Sequence, residues 1–381
     1  MTEIAVHTER VDDIPLLISQ QQAMGLAEII NHLAPRHGNR QGLSLGELVI
    51  GWLAFILSES DHRLSYVEPW AAEQQQTLSY LFGQLVTPDD FTDDRLGDAL
   101  IVLSDDAVWT ELENQLNQRL IRVYALPADT VRVDTTTAAL YHDSQTSSLA
   151  AYGHSKDHRP DLAQLKILLV TLDPLAMPLV TMTTPGNWAD DILYLPAVAE
   201  ARRSLAGNGP MLYVGDSKME AQTTRAQIDR DGDYYLLPLS QKGAQRQLLT
   251  DQVAAVLAEK TPNLTDIYPV GVAETDTDKR MGQGRESVRS QEADLNGFLH
   301  QWQERLLLIH SPTLAASGMR GLQQRLQEAE AQLVALTPPP GRGKRQAKEL
   351  PALEADVKQI LSRYDVADYL QVAYRCLIAE R

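Results

Sequence analysis

Val131-Arg-Val-Asp134-Thr-Thr-Thr137 is a short β-branched run that carries a lone aspartate at its polar end. A partner stretch lies far downstream, Met211-Leu-Tyr-Val-Gly-Asp216-Ser217, and has the same design. Apolar runs of β-branched and aromatic residues bounded by turn formers read as strands. A strand fixes the direction of the carboxylate at its end, and the loop beyond gives access to it. One such aspartate means little, because Asp commonly ends strands and caps helices. Two of them, joined by the right elements, mean more.

The elements between them can be read in order. Leu165–Asp173 is a second strand, Pro174-Leu-Ala-Met turns the chain, and Pro178–Thr184 is a third strand, which makes an antiparallel meander. Asp190–Leu205 reads as a helix stopped by Ala206-Gly-Asn-Gly209. Met211–Asp216 is the fourth strand, Met219–Asp229 a helix, Asp231-Gly-Asp233 a turn, and Tyr234–Leu239 the fifth strand. The order β-β-β-α-β-α-β resembles that of the RNase H-like fold, in which the first and fourth strands are neighbours. Asp134 and Asp216, 82 residues apart, are then expected at one sheet edge. Hard carboxylate oxygens of this kind suit Mg²⁺ or Mn²⁺.

Outward from this core the texture changes. Residues 14–126 read as all helix. Ile14–Leu33 carries apolar residues at helical spacing, Ser44-Leu-Gly-Glu47 is a capping-box pattern, and helices are expected over Leu64–Leu81, Asp94–Leu103 and Asp106–Tyr124. Trp52, Trp70 and Trp109 are expected core anchors, and Asp61-His62-Arg63 an interhelical loop. After the core, Gln241–Glu259, Met319–Leu336 and Leu350–Tyr364 read as helices, and Ala273–Arg285 as loop. Leu306-Leu-Leu-Ile is a short buried strand or a helix end, and Thr337–Arg345 a stiff basic linker. The expected class is therefore α+β or α/β: a helical domain over 1–128, an RNase H-like core over 129–241, and a mostly helical segment over 242–381 with a Pro-rich linker at 337–345.

Composition narrows the function classes. Residues 1–130 hold 20 Asp and Glu against 7 Arg and no Lys, a net −13 of the chain's −17. That segment is a poor surface for phosphate backbones and suits a protein interface or solubility. Residues 242–381 balance at 18 basic to 18 acidic. The single cysteine, Cys376, rules out an internal disulfide within the chain. The start of the chain lacks a signal-peptide pattern, and Leu48–Leu57 is too short to span a bilayer. A cytoplasmic protein with no membrane partner is expected.

The densest polar cluster is Tyr152-Gly-His-Ser-Lys-Asp-His-Arg-Pro-Asp161. Lys156, His158 and Arg159 could grip a phosphate backbone, or Asp157 and Asp161 could pair with them inside a polar hairpin. His142-Asp143 matches the dipeptide of metal-dependent phosphohydrolases but follows a strand rather than lying on a helix. Gly341–Arg345 lacks the Ser/Thr and the preceding strand of a phosphate-binding loop. Trp188 reads as a packing residue. Glu220, four residues after Asp216, is either a ligand or an acidic residue favoured by a helix N-terminus.

Taken together, Val131-Arg-Val-Asp-Thr-Thr-Thr, the Tyr152–Leu162 run and Val214-Gly-Asp-Ser-Lys-Met resemble an insertion-sequence DDE transposase, of the branch with a large insertion before the final Glu. Asp12-Asp-Ile-Pro, Arg36–Leu45, Ser58–Leu64, Trp302-Gln-Glu-Arg and the Arg325-Leu helix resemble its flanking segments. The resemblance implies that Asp134 and Asp216 are catalytic metal ligands for Mg²⁺ or Mn²⁺. It implies Lys156, His158, Arg159 and Lys218 as contacts to double-stranded DNA, both element ends and target. Paired ends imply a homodimer. The activity it implies is DNA recombination by phosphodiester hydrolysis at an element end and attack of the freed 3′-OH on target DNA. It also implies a third acid in a Tyr-x-x-Arg-x-x-x-Glu-x-x-x-x-x-x-Lys helix. Tyr374-Arg-Cys-Leu-Ile-Ala-Glu380 does not keep that spacing. The expectation is a chain truncated before that helix, either a metal-dependent transposase lacking its third acid or a non-catalytic protein that binds and inhibits the intact enzyme. A nuclease completing its site with Glu220 is a third expectation.

Overall fold

The computed structural model describes residues 8–34, 41–141, 147–156, 158–205, 209–272, 277–338 and 349–374. His142-Asp143, Asp157, the Ala206–Asn208 part of the helix stop, the first half of the Arg36–Leu45 run, the Ala273–Asp276 start of the expected loop, most of the 337–345 linker, Cys376 and the Arg375–Glu380 part of the last motif lie outside the described residues. The fold is mixed α and β, with twelve α-helices and two sheets among the described residues. It divides into two compact units, Met1–Gln241 with Gln291–Trp302, and Lys242–Ser290 with Gln303–Arg381.

The first unit opens with helices α1 (Ile14–Ala23) and α2 (Leu26–Leu33), where the spacing predicts one helix. The break falls at Gly25, whose φ of +72° only glycine adopts without strain. A β-carbon there would also strike the Arg119 guanidinium. Helix α3 (Leu45–Glu59) starts as predicted on a reciprocal box: Ser44 Oγ accepts from the Glu47 N–H at 3.2 Å, and the Glu47 carboxylate accepts from the Ser44 N–H at 2.7 Å. The expected Leu64–Leu81 helix is a 3₁₀ turn at Leu64–Tyr66 followed by α4 (Val67–Glu73) and α5 (Gln75–Phe82), separated at Gln74. Helices α6 (Asp93–Leu103) and α7 (Asp106–Tyr124) follow within a residue of expectation.

These helices close around Ile18, Leu48, Ile50, Trp70, Phe91 and Leu96. Trp70 sits edge-on between Phe55 and Phe91, at 5.5 and 6.4 Å between ring centroids. Trp52 is buried too, but Trp109 is 37% exposed and is not a core anchor. It lies in the first turn of α7 with part of its ring in solvent, which serves the polar indole edge better than burial. Asp61-His62-Arg63 is loop as expected, closed by an Arg63–Asp61 fork.

Helices α2 and α3 meet so closely at Gly46 that a β-carbon there would lie 2.2 Å from the Ala27 carbonyl oxygen. Since the obstacle is backbone, the helices must separate to admit it. Gly46→Ala is expected to cost about 1–3 kcal/mol of stability, the usual price of overpacking, read from the midpoint of a urea titration with the slope unchanged.

A second core lies under the sheet. Strands β1 (Thr130–Ala139), β2 (Gln164–Leu172) and β3 (Met177–Pro185) form the meander; helix α8 (Asp191–Ser204), β4 (Leu212–Gly215), α9 (Gln222–Arg230) and β5 (Tyr234–Leu236) complete it. The strand order is β3-β2-β1-β4-β5. β1 pairs antiparallel with β2 and parallel with β4, and β4 pairs parallel with β5. Val131, Val133, Leu168, Val170 and Leu172 point to one face, against Leu193, Tyr194, Ala197, Val198 and Ala201 of α8. Arg132, Asp134 and Thr136 alternate to the other face and are exposed. The expected helix from Met219 begins later, at Gln222, because residues 217–220 form a 3₁₀ turn capped by Asp216.

The second unit departs most from expectation. Besides α10 (Gly243–Ala258), α11 (Pro312–Leu336) and α12 (Leu350–Arg363), the chain after 241 carries strands β6 (Thr265–Ile267), β7 (Gly282–Leu295) and β8 (Phe298–His310) in one sheet, so the segment is not simply a bundle of helices. The expected loop over Ala273–Arg285 runs into β7, and Leu306–Ile309 is strand. Asn296-Gly297, with φ of +57° and +86°, makes the two-residue turn between β7 and β8. Arg289 and Glu304 pair across the two strands, and Arg305 forks onto Glu286 at 2.7 and 2.8 Å. The Leu322, Leu326, Ala329 and Leu333 stripe is the less exposed side of α11, as read from the sequence. The turn of the hairpin, Gln291–Trp302, belongs to the first unit, within which Ala293, Leu295 and Trp302 cluster with Ala226 of α9.

Candidate functional site

β1 and β4 run parallel with Thr130 opposite Leu212 and Val133 opposite Gly215. One further step of that register sets Asp134 abreast of Asp216, which follows the last residue of β4. Both are exposed. Exposed carboxylates beside the C-terminal end of a parallel strand occupy the part of an α/β sheet where ligands bind, because the chain opens into loops there.

Each aspartate is held differently. Asp134 Oδ1 accepts from the neighbouring Thr135 N–H at 2.7 Å. Asp216 Oδ1 accepts from the Tyr194 hydroxyl at 2.6 Å and from the Lys218 N–H at 2.9 Å. Tyr194 has no exposed surface. Burial pushes its phenol well above the usual tyrosine range, and the charges of Asp216, Asp190 and Asp134 push it further. It therefore keeps its proton and acts as a donor to Asp216.

A cavity of about 610 Å³ opens beside the turn that follows β4; its lining includes Thr137, His154, Lys156, Lys166, Lys218 and Glu220, and neither Asp134 nor Asp216 is part of that lining. Lys166 is a buried lysine on the inward face of β2. Its ammonium is held by Asp190 and the Trp188 carbonyl, the residues that lead into α8. The Lys156 ammonium donates to the Thr135 carbonyl. Arg159 is forked onto Asp161 at 2.8 and 2.9 Å, the internally paired arrangement of the polar cluster. His158 is exposed with φ +57°, and neither it nor Arg159 lines the cavity. The Lys218 side chain is exposed. Trp188 is 46% exposed, so it is only partly a packing residue.

Glu220 sits at the end of the 3₁₀ turn, where its carboxylate accepts from the Ser240 N–H at 2.7 Å. Among the described residues no three His, Cys, Asp or Glu side chains are grouped to hold a metal ion. Asp134 and Asp216 are thus neighbours in register without a third acid grouped with them among the described residues.

Comparison with known proteins adds little to this geometry. Residues 6–116, the helical N-terminal segment, match a domain of unknown function (DUF4277). No curated protein matches the chain. Among solved structures, the chain is similar to one in a cryo-EM structure of a piggyBac transposase synaptic complex with hairpin DNA. The two share 9% identity with a TM-score of 0.35, over 93% of this chain and 76% of that one. A likeness at that level does not bear on the site. No helix among the described residues is long and apolar enough to cross a membrane.

Sequence reasoning pointed to the two aspartates and did not single out Tyr194, Lys166 or Asp190, which surround Asp216 or lead into α8. Signals for two of them were present. Tyr194 stands on the apolar stripe of α8 with Leu193, Ala197, Val198 and Ala201, and a buried tyrosine needs a partner for its hydroxyl. Lys166 occupies an inward position in the alternation Lys166, Leu168, Val170, Leu172, where a charge must be paired.

Proposed function

We propose that this chain carries the RNase H-like core of an insertion-sequence DDE transposase, and that it acts on double-stranded DNA by metal-dependent phosphodiester hydrolysis and strand transfer. The observation that carries the reading is the β1–β4 register, which sets Asp134 abreast of Asp216 in a sheet ordered β3-β2-β1-β4-β5. It is the arrangement that the two sequence motifs lead one to expect.

The residues fit the cation by chemistry. Two exposed carboxylates offer hard oxygens, and among the described residues the donors on Asp216 fall on Oδ1. Mg²⁺ is commonly held by one or two carboxylates, with waters and substrate phosphates completing its shell. Bound Mg²⁺ or Mn²⁺ supplies activation of water and neutralisation of charge at the phosphodiester. Lys156, His158, Arg159 and Lys218 would hold backbone phosphates, once Lys156 exchanges the Thr135 carbonyl and Arg159 exchanges Asp161 for them. A homodimer holding two element ends, in the cytoplasm, completes the reading.

The absence of a third acid beside the pair among the described residues favours one alternative. In it the chain binds DNA or an intact transposase without cutting, and so inhibits it. Incubating the purified chain with supercoiled plasmid and Mn²⁺ separates the two. The first reading expects relaxation of the plasmid that EDTA abolishes. Intact plasmid, together with co-purification of a full-length transposase, would replace it with the second.

A further inference from the structure

We infer that Tyr194 is a positioning residue, which orients the Asp216 carboxylate for a divalent cation from the far side of the sheet. The inference rests on the reading of Asp134 and Asp216 as a cation site and adds a role that the two motifs do not contain.

Three observations meet here. The Tyr194 ring is buried in the core under the sheet, with Leu193, Ala197 and Val198, so its hydroxyl has a fixed origin. That hydroxyl donates to Asp216 Oδ1 at 2.6 Å, the short distance of a charge-assisted O–H···O⁻ bond. The Lys218 N–H reaches the same oxygen at 2.9 Å. Two donors on one oxygen fix the rotation of the carboxylate of this exposed residue. No hydrogen bond to Oδ2 is made among the described residues.

The start of α8 is anchored as well. Lys166 of β2 holds both the Trp188 carbonyl and the Asp190 carboxylate, just ahead of the first turn that carries Tyr194. The strut therefore runs from β2 through Lys166 and the first turn of α8 to the end of β4. Hydrogen-bond partners behind a metal-ligating group set its orientation, and their loss typically weakens metal binding about 10- to 100-fold.

Tyr194→Phe removes one oxygen and keeps the ring that packs. Mn²⁺ binding to wild type, Tyr194→Phe and Asp216→Asn is measured by titration calorimetry, with thermal unfolding as the control. The expected result is Mn²⁺ binding in wild type that Asp216→Asn loses. Tyr194→Phe should bind about 10- to 100-fold more weakly at an unchanged unfolding midpoint. If Tyr194→Phe binds as wild type does while Asp216→Asn does not, the positioning role is wrong and the cation site stands. If wild type binds no Mn²⁺ that Asp216→Asn removes, the cation site itself is wrong and the inference falls with it. A lowered midpoint with unchanged affinity would make Tyr194 a packing residue and overturn the inference too.

Discussion

Asp216→Asn is expected to reduce Mn²⁺-dependent relaxation of supercoiled DNA by at least about 10³-fold, the scale reached when a group that stabilises transition-state charge is removed. Asparagine is the sharper substitution. Asp216 also caps the turn at Ser217–Glu220 by accepting the Lys218 N–H, and alanine would add the loss of a cap, about 1 kcal/mol, to the loss of charge. An asparagine side-chain oxygen keeps the cap and gives up the negative charge on which the proposed cation site depends. Asp134→Asn should do the same, because the proposed cation site uses both carboxylates, which one further step of the β1–β4 register sets abreast. The double variant should then be no worse than either single one, since groups that act together are strongly non-additive. Relaxation rates under single-turnover conditions measure all three. Activity retained in either single variant would sink the site assignment, and additive losses would mean that the two act separately.

How much of this was legible in the sequence depended on whether a residue's role was local. β1 and β4 were legible because short apolar runs report a strand without reference to anything else; Asp216 does follow the end of β4, but β1 continues past Asp134 to Ala139, so that aspartate marks no strand end. The capping box at Ser44–Glu47 was legible for the same reason. Boundaries failed where one residue's backbone decided them: the apolar spacing runs through Gly25, but its left-handed conformation splits the helix there. The β7–β8 hairpin escaped for a different reason. Most of β7 is two-sided and polar, from Arg285 to Glu292, so hydrophobic alternation cannot report it. Its one strong signal was the Asn296-Gly297 dipeptide, a two-residue turn that favours hairpins. The support behind the site was illegible in a deeper sense. That Tyr194 reaches Asp216 follows from how α8 packs across the sheet, and no spacing within α8 contains that information.

The N-terminal helices rest on one carboxylate, and its removal should have the largest effect on stability. Asp90 is nearly buried, with its side chain 5% exposed. Oδ1 accepts from the Leu43 N–H at 3.2 Å and from Arg95 at 2.7 Å, while Oδ2 accepts from the Thr87 N–H at 3.0 Å and its hydroxyl at 3.1 Å. One side chain thus joins the loop before α3, the turn at Pro88–Phe91 and the start of α6. Burial alone would raise the Asp90 pKa, but the N–H groups of Thr87 and Leu43, with Arg95 and the Thr87 hydroxyl, hold it below the ordinary value. Asp90→Ala leaves the Arg95 charge and two backbone donors without their acceptor. The expected loss is about 3–5 kcal/mol, the range for breaking a buried pair from one side, and a large share of a typical 5–15 kcal/mol total. The sign of the pH dependence follows from the lowered pKa. The contribution is complete above the unfolded-state value, about 3.9, and is lost as pH falls through the folded-state value beneath it. Urea titrations of wild type and variant, at neutral pH and stepwise down from pH 4, read both effects. The variant should unfold at lower urea at neutral pH, and the gap should narrow as the solution becomes more acidic. A gap that stays constant with pH would show that the carboxylate's charge contributes nothing, and that alanine acts through packing alone.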